Sequence, residues 1–393
     1  MKKVFLIIFI LFLCGCTKNN VNTLSSDTSI ITLKENNSVN FREEKYLYDF
    51  IEIENGTILT ENYKIDTTVL KTIPTTIEYK DNSGKVNEYK FNINVVDNES
   101  PLILSSKKYY FTKGDKDNLS NKPLCGDNYT RDMKCVIVGS YNLNTTGEYP
   151  IKITATDEAG NYTEKDATVI VSEKKSKTSS SGVSKIDIKD FIKTYKTDNT
   201  LIGIDVSVWQ GNIDWNKVKK AGISFAIIRI GYGHTSKNNL VMDTKFTRNI
   251  KEAKKAGIKV GVYFYSHAKN ITEAKEQALW VVKNLKGEKL DLGVAFDWEI
   301  WSKFMSFKIS FSDLNDIANS FLDTVKENGY EGLNYGSANY HKYIWNTPRY
   351  DTWLAWYTTN NTYEGKYYIW QATSSGKVPG ISGRVDLNVL YLK

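Results

Sequence analysis

Four carboxylic residues in the last half of this chain have the types and the neighbours for acid-assisted bond cleavage. Asp205 lies in GIDVSVWQG, Asp297 and Glu299 in VAFDWEIW, and Asp386 in RVDLN. Cutting a glycosidic bond needs one carboxyl still protonated near neutrality and a second that stays ionised against the positive charge developing on the sugar. Asp297 and Glu299 are two positions apart, so while a strand continues through them both side chains face the same way. Mutual repulsion in a partly dry, aromatic-walled site then splits their pKa values. Singly, each acid has an ordinary explanation: Asp205 as a turn or helix cap, Asp386 as a partner of Arg384 or Arg229, Asp-x-Glu as a common surface pattern. Together, amid Trp209, Trp298, Trp301, Trp356 and Trp370, they point to a sugar site.

Such a site needs a scaffold that brings distant acids together. From position 201 the sequence alternates strand-like apolar runs with amphipathic helical patterns, the texture of βαβ units. Strands are expected at 201–206, 225–230, 259–265, 292–297 and 332–335, each followed by a helix, at 215–221, 245–256, 271–285, 312–328 and 338–344. Three further strands, 352–357, 367–371 and 385–391, lack full helices between them. Eight strands imply a barrel, and in such barrels working residues sit at the C-terminal strand ends. Asp205 ends the first strand, Asp297 and Glu299 end the fourth, and Asp386 begins the last.

The strings GIDVSVWQGNIDW, FAIIRIGYG, KVGVYFYSHA, AFDWE, WLAWY and WQATSSGKVPGISGRVDLN, in that order from Gly203 to Asn388, resemble the family 25 glycoside hydrolases. The resemblance implies a modified TIM-type barrel with five βα units plus three strands. It also implies a lysozyme (N-acetylmuramidase) activity on the β-1,4 bond between N-acetylmuramic acid and N-acetylglucosamine. Carried over by position, Glu299 is the general acid, Asp297 stabilises the intermediate, and Asp205 and Asp386 support them at the cleft floor. Tyr263 and Trp370 would line the sugar site, with Gln371, Trp209 and Trp356 as further substrate contacts. Many relatives have Trp-Gln-Tyr where this chain has Trp370-Gln371-Ala372, which removes one aromatic contact. No cofactor and no metal site is expected. Two other readings use the same residues: a catalytically inactive glycan-binding surface lipoprotein, and a chitin-cleaving glycosidase.

The N-terminal half carries no comparable cluster. Lys2 and Lys3 precede an apolar run over 4–13, too short to span a bilayer but suited to a signal peptide. The run ends in Leu-Cys-Gly-Cys, which resembles a bacterial lipobox with Cys16 as the lipidated residue; two acyl chains are enough for stable anchoring. The polar stretch that follows reads as a tether. Between 30 and 172 short alternating runs are separated by Asn, Asp, Gly and Pro, the rhythm of β-sandwiches. IEYKDNSGKVNEYKFNINV from Ile77 aligns without gaps on ITATDEAGNYTEKDATVIV from Ile153, matching Asp81 to Asp157 and Gly84 to Gly160 at a common hairpin turn. The two units resemble bacterial immunoglobulin-like repeats and are expected to act as a spacer or wall adhesin. Cys125 and Cys135 either pair or remain as two idle thiols; with three His residues and no Cys or His cluster, a structural zinc has no ligand set.

The expected organisation is multidomain: signal peptide 1–16, tether 17–29, all-β immunoglobulin-like sandwiches 30–97 and 98–172, a Lys- and Ser-rich linker 173–197, and the α/β barrel 198–393. A hydrophobic content of 41% with 25% charged residues is that of folded material. The net charge of +7 is spread along the chain and reads as solvated surface, with no call for a nucleic-acid partner. The expected partners are peptidoglycan strands and, through the lipid anchor, the membrane, on the outer side facing the wall.

Overall fold

The computed structural model describes residues 30–34, 37–173, 185–233 and 239–393. The signal peptide, Cys16 and the tether lie outside the described residues, as do 174–184 of the expected linker. The chain divides into two compact units, 1–97 and 98–393.

In the first unit a long hairpin, Lys71–Asp81 with Val86–Val96, is flanked by Gly56–Ile58 on one edge and by Ser38–Asn40, parallel to the second long strand, on the other. A two-stranded sheet, Ile30–Leu33 with Ile51–Glu54, closes the core of Ile77, Phe91, Ile93 and Leu47. Residues 98–172 of the second unit repeat this strand order. Their hairpin is Gly147–Thr156 with Tyr162–Ser172, flanked by Val136–Val138 and by the parallel strand Lys108–Thr112, over the pair Leu102–Leu104 and Leu124–Gly126. Both hairpins turn the same way. Gly84 (φ 88°) donates to the Asp81 carbonyl and Gly160 (φ 93°) to the Asp157 carbonyl, a left-handed position that favours glycine. Cys125 and Cys135 form a disulfide.

The rest of the second unit is a closed eight-stranded barrel. Its strands are β1 (Thr200–Val206), β2 (Phe225–Gly233), β3 (Lys259–Tyr265), β4 (Val294–Asp297), β5 (Gly332–Ser337), β6 (Asp351–Ala355), β7 (Ile369–Lys377) and β8 (Val385–Tyr391). Neighbours from β1 to β7 pair in parallel, and β8 closes the ring antiparallel to both β7 and β1. Helices α2 (Trp215–Lys220), α3 (Phe246–Lys255), α4 (Ile271–Leu285), α6 (Phe311–Glu327) and α7 (Ala338–Tyr343) follow the first five strands, with the single turn α5 (Phe304–Phe307) ahead of α6. Side chains at Asp214, Asn270 and Ser310 cap α2, α4 and α6.

Alternation along each strand sorts the residues into two layers. Ile202, Ile204, Ala226, Ile228, Val262 and Phe264 face the helices, while Phe225, Ile227, Leu333, Trp353, Ile369 and Leu390 fill the lumen. Gly203 makes room for the plug: a Cβ there would lie 2.4 Å from the Phe225 ring. With its lower end sealed, the barrel is open to polar groups only at the C-terminal ends of its parallel strands.

The linker is shorter than its composition suggested. Ile186–Asp187 pairs with β7, and α1 (Ile188–Tyr195) packs Ile188 and Phe191 into the barrel's outer core. The apolar spacing Ile188, Phe191, Ile192, Tyr195 is a helical stripe that lies within the stretch assigned to the linker. The barrel therefore begins before 198.

Candidate active site

The lumen-facing positions nearest the C-terminal rim carry the polar residues. Asp205 is the last inward residue of β1, and its Cα partner on β8 is Asp386. Asp297 ends β4, flanked by Tyr265 on β3 and Tyr335 on β5. Arg229 on β2 neighbours Tyr263 on β3. Seven positions from six strands meet here because each falls on the inward phase of its own strand.

Asp205 is buried. Its Oδ2 accepts from Gln371 Nε2 at 2.9 Å and from Asn388 Nδ2 at 2.8 Å. Gln371 Oε1 in turn accepts from the hydroxyls of Tyr335 and Tyr357, each at 3.0 Å, and Trp353 Nε1 donates to Asn388 Oδ1 at 2.8 Å. Every dipole in this chain points its positive end at Asp205, yet burial outweighs them and pushes its carboxyl up to about 6. Burial, with the charge of Asp205, pushes Asp386 up to about 8.

Asp297 is 5% exposed, and its Oδ1 is buried with no hydrogen-bond partner. Burial first, then the charges of Glu299 and Asp205, push its carboxyl well up, while Arg229 opposes the shift. Glu299 stands just beyond the strand end. Solvent reaches it, but the protein mass around the cleft and the charge of Asp205 push it up to about 7. The acids titrate as a coupled set. Arg229 favours the carboxylate form of Asp297 and the charges of Glu299 and Asp205 oppose it, so these acids share protons rather than titrating independently.

Two cavities meet at Glu299. One, of about 880 Å³, is walled by Tyr335, Trp356, Tyr357 and Tyr363; the other, of about 750 Å³, by Trp209, Tyr232, Tyr263, Tyr265 and Asp297. A groove crossing the rim through one acid suits a chain cut in its middle. Trp209, 82% exposed, stands at one wall on a turn that Ser207 and Gln210 cap. Its base is fixed by Asp243, whose Oδ2 accepts from Val208 N at 2.9 Å, Arg229 Nε at 2.9 Å and Arg229 Nη2 at 2.8 Å.

Asp205, Asp297, Glu299, Asp386, Tyr263, Trp209 and Trp356 thus gather at the rim as expected from the sequence, and Gln371 lies beneath them as a support for Asp205. Trp370 does not. It faces the helical layer, 2% exposed, where its Nε1 donates to the Trp356 carbonyl at 2.8 Å and its ring meets Tyr195 edge-on at 5.2 Å. An inward Gln371 forces its neighbour outward. Trp298 is also internal, donating to the Ala268 carbonyl. Sequence reasoning missed Tyr335, Tyr357, Asn388 and the Arg229–Asp243 pair; a lone Arg on the inward phase of the apolar run FAIIRIGYG was the available signal.

Residues 204–381 match the family model for Glycosyl hydrolases family 25. The matched stretch covers most of the barrel. The chain is 29% identical over 189 residues to the autolytic lysozyme of Clostridium acetobutylicum, covering 47% of this chain and 54% of the relative. It is 30% identical over 204 residues to lysozyme M1 of Streptomyces globisporus, covering 47% of this chain and 66% of the relative. The alignments therefore span between half and two thirds of those relatives. Among solved structures, a family 25 glycosyl hydrolase from Bacillus anthracis is similar at 23% identity, covering 51% of this chain and 93% of that one, with a TM-score of 0.44.

Proposed function

We propose that this chain is a cell-wall lysozyme that hydrolyses the β-1,4 bond between N-acetylmuramic acid and N-acetylglucosamine in peptidoglycan. The observation that carries the reading is the pairing at one rim of an accessible carboxyl near neutrality, Glu299, with the buried, unpartnered Oδ1 of Asp297, inside aromatic walls. Glu299 gives its proton to the glycosidic oxygen as the bond to the anomeric carbon breaks. Asp297 faces the positive charge that develops on the sugar ring, within the cleft where such charge pairs act strongly. Asp205, held by Gln371 and Asn388, keeps the proton on Glu299 through its negative charge. The similarity to two lysozymes supports the same substrate class.

The enzyme would work from the outer face of the membrane, tethered through Cys16, with residues 30–172 folded as immunoglobulin-like units. Digestion of purified peptidoglycan followed by mass spectrometry of the products tests the activity. New muramic acid reducing ends are expected; release only from chitin, or binding without any new reducing end, would refute it.

A further inference from the structure

The sandwich formed by residues 98–172 is packed onto the part of the barrel that carries Glu299. We propose that it is a working part of the glycosidase site, holding the segment that follows Glu299 in its catalytic position. This rests on the reading of Glu299 as the proton donor.

The segment between β4 and α6 has little order of its own. It consists of a three-residue 3-10 turn, Trp301–Lys303, and the four-residue α5. Helical pieces this short are unstable alone, so their placement depends on what packs against them. Inside the barrel that support is an aromatic cluster: Trp298 lies 5.0 Å from Trp301, 6.2 Å from Phe304 and 6.4 Å from Phe307, and Phe304 lies 5.4 Å from Phe311.

The other side of the cluster is closed by the sandwich. The first two N–H groups of α6, which have no acceptor within their own helix, donate to sandwich carbonyls: Phe311 to Asp127 at 2.7 Å and Ser312 to Asn128 at 3.3 Å. Arg131 Nε and Nη2 donate to both oxygens of Asp313, at 2.8 and 2.9 Å, and Lys308 Nζ lies 3.0 Å from Asp132. Gly126 sits directly on the rings, since a Cβ there would approach Phe311 to 2.4 Å and Phe304 to 3.0 Å. The Cys125–Cys135 disulfide closes the segment that makes these contacts. A passive spacer would need none of them.

Gly126 and Arg131 are positioning residues, acting on Glu299 through Phe304, Phe311 and Trp298. The charged and titratable groups around Glu299, namely Asp205, Asp297, Asp386, Arg229, Tyr265, Tyr335, Tyr340 and Tyr357, all belong to the barrel. Of these, Tyr340 stacks on Trp301 at 3.9 Å and would move with the segment; otherwise, disturbing the sandwich contact acts on how Glu299 is seated and hydrated. In the full chain, Gly126→Val is expected to lower kcat on peptidoglycan at least tenfold with little change in KM. It should also move the alkaline limb of kcat/KM to lower pH, because a looser segment rehydrates the carboxyl. Arg131→Ala should do the same more weakly, with partial rescue by Arg131→Lys.

A structural role alone would lower the melting temperature and the active fraction and leave the limb where it was. Glu299→Gln run alongside separates the two readings: if it stays active, the general-acid assignment fails. If Glu299→Gln is inactive while folded Gly126→Val keeps the wild-type kcat and limb, the positioning role is overturned. Should Gly126→Val not fold, Arg131→Ala decides by the same limb.

Discussion

Replacing Glu299 by Gln keeps the shape of the side chain and removes the proton it would transfer. In the wild type a carboxyl pushed up to about 7 holds its proton in half of the molecules at pH 7. If the protonated form is the active one, as proposed, kcat/KM should fall as pH rises through that point, about tenfold per unit, as expected when a single essential acid is lost. Loss of a general acid costs roughly 100- to 10,000-fold, or about 3 to 5 kcal/mol of barrel-bound transition-state stabilisation. Initial rates of reducing-end release from purified peptidoglycan between pH 5 and 9 provide the assay, with sedimentation of wall fragments reporting binding. Glu299→Gln should lose the alkaline limb together with the activity and still bind wall. Asp205→Asn should instead retain a limb and shift it to lower pH, since the Asp205 charge helps hold the proton on Glu299. A Glu299→Gln enzyme with more than roughly a tenth of wild-type turnover would refute the assignment, because no general acid is worth so little.

Trp370→Ala should cost about 3 to 5 kcal/mol of stability by opening a cavity beside α1, whereas Trp209→Ala should leave stability within about 0.5 kcal/mol and raise KM; thermal melts and Michaelis curves distinguish the two, and equal effects would contradict their opposite placements. Asp386, pushed up to about 8 from an ordinary 3.8, keeps a proton in the folded chain that the unfolded chain releases between those values, so its contribution to stability is lost as pH rises through that window. Asp386→Asn should therefore melt at the wild-type temperature at pH 4 and above it at pH 8, by roughly 2 to 4 °C for each kcal/mol regained; a lower melting temperature at pH 8 would contradict this. Cys16→Ser should abolish acylation and release the protein from the detergent phase, and continued acylation at the same site would sink the lipobox reading.

Much of the site could be read from local pattern, because strand alternation is a property of consecutive residues. Alternation puts Asp205, Tyr263, Asp297 and Gln371 on the inward phases of their strands, and the same alternation turns Trp370 toward the helices, against the lining role that the resemblance implied. The turn shared by Asp81–Gly84 and Asp157–Gly160 was legible for the same reason, since a left-handed glycine position is set by its own four residues. The stripe in α1 was equally local and lay hidden behind the Lys- and Ser-rich composition that precedes it.

What the tertiary structure alone decided are the pairings that alternation cannot register. Gln371 and Asn388 reach Asp205 across 166 and 183 residues only because β8 closes the ring antiparallel. Arg229 chose Asp243, on the segment after the barrel strand, over Asp386. Arg131 meets Asp313 across 182 residues, through a docking surface with no period and no motif. Patterns of two and 3.6 residues fix which face of an element is buried; which remote element covers that face depends on the register and shape of the whole packed unit.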